Sequence, residues 1–176
     1  AVAKTLNKFP EEFLPEFETF LEDKSYVTNE IALNVLWSQF PKERNKYLDK
    51  SRNWVGMNDK NLRILWLTMA LATKDFEPDN KVKFYDELLQ YTSIDYESVV
   101  RQNAITNLLY VNPGDTNVLK TLVNPLTHHK WQFSKFARDK IRELIKKDTF
   151  RLYFSELLPE IPENERVILS RLLSEN

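Results

Sequence analysis

Residues 99–111 read VVRQNAITNLLYV, and the spacing of their apolar positions decides how the rest of the chain is read. Val100, Ala104, Leu108 and Val111 recur at the three- and four-residue steps that line one face of an α-helix. Arg101 sits at the edge of that stripe, in its first turn. The same arrangement returns upstream and downstream. In LRILWLTMAL (62–71) Arg63 lies 38 residues before Arg101, and Trp66 and Leu67 fall where Ala104 and Ile105 do. In ARDKIRELI (137–145) Arg138 lies 37 residues after Arg101, with Ile141 in the Ala104 position. A fainter copy, NEIALNVLWS, places Glu30 33 residues before Arg63.

Helical periodicity extends from end to end, and no segment alternates as a strand would. Pro10 or Pro15 is placed to open a first helix running to about Asp23, since proline is tolerated in a helix's first turn. Thr28 is a candidate N-cap for the helix containing Ile31, Val35 and Leu36, and Asn58 for NDKNLRILWLTMALAT. Pro41 precedes a charged helix, Pro78 or Asp79 another, and Ser93 or Asp95 the one containing 99–111. Asp115 caps a short helix, HHKWQFSKFARDKIRELIKK is long and amphipathic, and Pro162 opens the last one. Nine or ten helices result.

Composition narrows the function classes. The 176 residues include 42% hydrophobic types, with 11 Phe, 7 Tyr and 4 Trp, a globular balance able to bury a real core. Lys and Arg total 25 against 26 Asp and Glu, which counts against a dedicated nucleic-acid binder. Gly56 and Gly114 are the only glycines, where average usage of about 7% implies roughly a dozen. Glycine-rich phosphate loops and primed hairpins are thereby nearly excluded. Cysteine is absent, removing disulfides, thiolate zinc sites and thiol nucleophiles. No apolar run reaches the length of a membrane span or a signal peptide.

No side-chain constellation reads as catalytic. His128 and His129 are the only histidines. Being adjacent they point about 100° apart on a helix, whereas helical metal ligands need i, i+4 spacing, so they read as capping or solvated imidazoles. The segment 128–147 carries seven Lys or Arg with Trp131, Phe133 and Phe136 interleaved. Asp139 and Glu143 dilute its charge, and it reads as an amphipathic helix with Phe133, Phe136, Ala137 and Ile141 in the core. Glu11-Glu12 and Glu163-Glu165 lie at helix starts, where the dipole favours them. Arg63, Arg101 and Arg138 admit two readings: a basic ladder able to hold a peptide carboxylate, or bonding between stacked units. Trp54, in the loop RNWVGM, is a possible contact residue or a loop anchor.

Helix pairs recurring with periods of 33 to 38, each leaving a face unburied until the next stacks on it, fall near helical-repeat arrays, a little short of the roughly 40–47 residues of HEAT and armadillo units. The apolar-Arg-x-x-apolar-apolar pattern resembles the second helix of a HEAT repeat. The expected fold is therefore all-α, a HEAT- or armadillo-like superhelical array of about four helix pairs plus terminal helices, forming one domain over residues 1–176. Several stretches together resemble the C-terminal helical domain of the aminopeptidase-N-like zinc aminopeptidases: SYVTNEIALNVLW (25–37), FPKERNKYLD (40–49), NDKNLRILWLTMAL (58–71), FYDELLQYTS (84–93), VRQNAITNLLY (100–110) and the segment from Trp131 to Ile145. This likeness spans roughly residues 25 to 147.

In that family catalysis belongs to a separate thermolysin-like domain with His-Glu-x-x-His, a distal Glu ligand and a Gly-x-Met-Glu-Asn motif. The chain carries no His-Glu-x-x-His, and Gly56-Met57-Asn58-Asp59 departs from the last motif in spacing and in lacking its Glu. The resemblance thus implies a domain of a longer chain that packs over the catalytic domain, shapes peptide access and is inactive alone. It implies no cofactor here, zinc in the parent's catalytic domain, and as partners that domain and its peptide substrate; on the residue reading above, Arg63, Arg101, Arg138 and Trp54 are the candidate groove or substrate contacts. Two other readings stay open: a free-standing HEAT-like scaffold binding another protein, and a HEAT-like DNA glycosylase, which the neutral charge disfavours.

Overall fold

A computed structural model describes residues 10–52 and 59–175. Ten α-helices lie among them: α1 (Leu14–Thr19), α2 (Tyr26–Gln39), α3 (Arg44–Lys50), α4 (Lys60–Ala72), α5 (Lys81–Gln90), α6 (Ser98–Val111), α7 (Thr116–Thr121), α8 (Trp131–Leu144), α9 (Asp148–Leu157) and α10 (Glu163–Ser174). Short 3₁₀ turns join several of them, and the described residues contain no strand. The chain divides into two compact units, Ala1–Leu88 and Leu89–Asn176.

Side-chain caps open α2, α4 and α7, with shifts from the sequence reading. Ser25, not Thr28, caps α2: its Oγ accepts the Thr28 N–H at 3.4 Å. The earlier start buries Asn29, whose side-chain amide donates to the Phe20 and Asp23 carbonyls at 2.9 and 3.0 Å and ties α2 to the preceding turn. Asp59 caps α4, accepting from the Asn61 and Leu62 N–H groups at 2.9 and 3.2 Å; Asn58 lies outside the described residues. Ser93 and Asp95 bond to each other in a turn instead of opening α6, which begins at Ser98. Asp115 caps α7 as expected. Likewise α8 starts at Trp131, three residues beyond His128, because Asn124–Thr127 is a 3₁₀ turn.

In the first unit α4 and α5 run antiparallel. Arg63, near the start of α4, meets Glu87 near the end of α5, while Lys81 at the start of α5 donates to the Ala70 and Thr73 carbonyls at the end of α4. The C-termini of α2 and α4 lie side by side, linked by Trp37 Nε1 donating to Thr73 Oγ1 at 2.9 Å. Trp66 is the largest buried side chain. Its Nε1 donates to the Leu48 carbonyl at 3.0 Å and its ring meets Phe76 and Phe84 edge-on. Satisfying that one polar atom is what lets an indole sit at the core.

In the second unit α6, α8 and α10 are parallel neighbours. The Arg101 guanidinium lies 5.0 Å from the Phe133 ring, joining the first turns of α6 and α8. Thr127, just before α8, donates to Glu165 in the first turn of α10 at 2.7 Å, and Arg142 at the end of α8 reaches Glu175 just past α10. The intervening α9 is antiparallel to α10: Arg151 near its start donates to the Leu173 carbonyl and its final turn receives Arg166. Ile105, Leu126, Phe133, Ala137, Ile141, Phe154 and Leu169 form the centre of this unit's core. Phe136 packs against that core half-buried, so three of the four aromatic and aliphatic positions expected inside α8 are fully enclosed.

Candidate functional site

The recurrent arginines are each bonded within the fold, though to different partners. Arg63 is 7% exposed and forks onto Glu87, Nε to Oε1 and Nη2 to Oε2 each at 2.7 Å, with its guanidinium 4.6 Å from the Trp66 ring. Its Nη1 is buried without a hydrogen bond among the described residues, and the Trp66 face partly offsets that desolvation. Arg101, 4% exposed, donates Nε to the Thr92 carbonyl at 3.1 Å and Nη2 to Asn124 Oδ1 at 2.8 Å. Burial lowers its pKa from the ordinary arginine value. Arg138 is half-buried and donates Nη2 to the Leu126 carbonyl at 3.2 Å. Trp54 lies outside the described residues.

Three further arginines do the same thing and stand outside the repeat register. Arg44 Nε donates to the Trp37 carbonyl near the end of α2 at 2.9 Å. Arg151 Nε donates to Ile145 at the end of α8, and Arg166 to Leu158 and Ile161 at the end of α9. With Arg101 on Thr92, two residues past α5, each reaches back across a turn to carbonyls at or just beyond a helix C-terminus, where intrahelical partners run out. A left-handed glycine usually serves those carbonyls. Here Glu77, at φ 41°, is the one described residue with positive φ, and no described glycine adopts it. Cationic side chains take over that work. The cue was the glycine deficit combined with arginines in helix first turns; a search along apolar stripes alone passes over Arg44, Arg151 and Arg166.

His128 is half-buried and its Nδ1 accepts the Lys130 N–H at 3.1 Å, with its ring stacked on His129 at 4.3 Å. Burial, followed by the charges of His129, Arg101 and Lys130, lowers its pKa below the usual histidine value. Along α8 the basic side chains are largely matched. Lys135 pairs with Asp139, Lys140 with Glu143 at 2.8 Å, and Arg142 with Asp139 and Glu175. Trp131 is 65% exposed. Among the described residues no three His, Asp or Glu side chains come together as metal ligands, and no described helix is long and apolar enough to cross a membrane.

A groove of about 410 Å³ opens between the C-terminal turns of α6 and α8 and the start of α9. Leu109, Leu144 and Phe150 form its floor; Tyr110, Lys140, Glu143 and Lys147 stand around its mouth. Tyr110 is 68% exposed. A shallower hollow of about 290 Å³ separates α7 from α9, where Tyr153 donates to the Thr116 carbonyl at 2.9 Å. The larger groove was not legible as a site in the sequence, because Tyr110, Lys140 and Lys147 converge only once α6 and α8 lie parallel. Comparison with protein-family models, curated proteins and solved structures found no match for this chain.

Proposed function

We propose that the chain is a non-catalytic, HEAT-like helical-repeat module, the C-terminal domain of a zinc-dependent aminopeptidase of the aminopeptidase-N-like type. In this reading it packs over the parent's catalytic domain and shapes the passage through which peptides reach the zinc. The observation that carries the repeat reading is the shared register of Arg63, Arg101 and Arg138 with parallel packing of α6, α8 and α10. Units recurring at one register are what stacking of helix pairs produces. The aminopeptidase step rests on the sequence likeness over residues 25 to 147.

The arginines then act by fixing the spacing of the repeats. Their donor groups are aimed at Glu87, Asn124 and backbone carbonyls, so their part in substrate access is to hold the helices that line it. A zinc-activated water needs three protein ligands, and this reading assigns all of them to the parent's catalytic domain. The purified chain is expected to hold no stoichiometric zinc by atomic absorption and to cleave no aminoacyl-nitroanilide. Zinc-dependent cleavage that co-purifies with the chain through denaturation and refolding overturns the proposal.

A further inference from the structure

The groove between α6, α8 and α9 combines an apolar floor with a cation, Lys147, that has no carboxylate partner among the described residues. Leu109, Leu144 and Phe150 are half-buried against the second unit's core and present their remaining surface to the groove. Lys140 is held by Glu143 at 2.8 Å, and the Lys140 hydrogen bond and charge keep the Glu143 carboxyl below the usual glutamate range. That pair is internally neutral. Lys147 is exposed, and its ammonium lies 5.8 Å from the Phe150 ring, with no ion-pairing carboxylate among the described residues. Two carbonyls at the end of α8, which would repel an anion, are covered: Leu144 accepts from the Lys147 N–H and Ile145 from Arg151.

We propose that this groove binds a small organic monoanion bearing an apolar group, an aryl- or alkyl-carboxylate. The apolar part lies on Leu109, Leu144 and Phe150 beside the exposed Tyr110 ring, and the carboxylate meets Lys147. The volume of about 410 Å³ falls in the range of roughly 300–1,000 Å³ typical of small-molecule sites. A single ammonium suits a monoanion; phosphate groups are better served by an arginine fork, and every arginine near the groove's helices is committed elsewhere. This assignment does not depend on the aminopeptidase reading, because it rests only on the groove's lining and charge.

The test is an amide NMR titration of the full chain with 4-phenylbutyrate and, in parallel, its neutral analogue 4-phenylbutyramide at fixed ionic strength. Shifts confined to residues 106–113 and 140–150, with the acid binding about tenfold or more tightly than the amide, are expected. Lys147→Gln should equalise the two ligands. Glu143→Gln should strengthen binding of the acid by releasing Lys140. Both substitutions are at exposed positions, and the Glu143→Gln arm decides the matter even if Lys147→Gln perturbs folding. Equal binding of acid and amide, absence of shifts up to about 10 mM, or an acid preference that survives Lys147→Gln overturns the proposal.

Discussion

Arg101 shows how one side chain can do the work of several backbone devices. It is nearly fully buried, spans the Thr92 carbonyl and the Asn124 side chain, and lies over Phe133. A buried guanidinium is tolerated only because its donors find acceptors. Arg101→Met keeps most of the stem but orphans two acceptors, and should lower stability by about 1.5–3 kcal/mol. Arg101→Lys should recover less than half of that loss, since an ammonium cannot present the same fork. Urea unfolding with an unchanged slope is the appropriate measurement. The recurrence of Arg63, Arg101 and Arg138 was legible in the sequence because it shares the apolar period. Their acceptors were not, since Glu87, Asn124 and Leu126 lie on other elements whose placement no local pattern encodes.

Among the elements, α1 is tied to α3 by charge. It has no buried residue of its own, and Glu18 on it accepts from Lys46 and Lys50 of α3 at 2.6 and 3.0 Å. Burial alone would raise the Glu18 carboxyl, but the two lysine hydrogen bonds and then their charges outweigh it and hold the pKa below 4.5. A lowered folded-state pKa means the stabilisation is present above the unfolded value and is lost as pH falls through it. Stability of the first unit should therefore drop as pH falls below 4.5, and the Lys46→Ala/Lys50→Ala double variant should flatten that dependence. Acid titration followed by tryptophan fluorescence reports it.

Tyr47, on α3 beside this cluster, carries the opposite sign. Burial first, and then the Glu18 charge, push its phenol from 10.0 up to about 12. A raised folded-state pKa makes its contribution complete below 10.0 and lost on the way to about 12. The phenolate absorbance of Tyr47, isolated by difference against Tyr47→Phe, should thus appear near the upper end of that window or together with alkaline unfolding. Ionisation of Tyr47 at the ordinary tyrosine value would contradict the packing described. At this scale the sequence located helices well and their first residues less well. Ser25 and Thr28 are both competent caps, and the Asn29 contacts that choose between them are tertiary.

For the whole molecule, all-helical character followed from periodicity, scarce glycine and the absence of alternating segments. Its division into two compact units, Ala1–Leu88 and Leu89–Asn176, left no mark in composition: residues 82–91 read as part of one helix, and α5 runs unbroken across the boundary. The proposed role, a HEAT-like domain over a zinc aminopeptidase's catalytic cleft, assigns to this chain the shaping of access and to another part of the same polypeptide the chemistry. The most direct test is to sequence the full transcript that encodes Ala1 to Asn176. An open frame upstream carrying His-Glu-x-x-His with a Glu ligand further along is expected. A start codon immediately before Ala1, with no such frame, would contradict it and leave a self-contained helical-repeat protein.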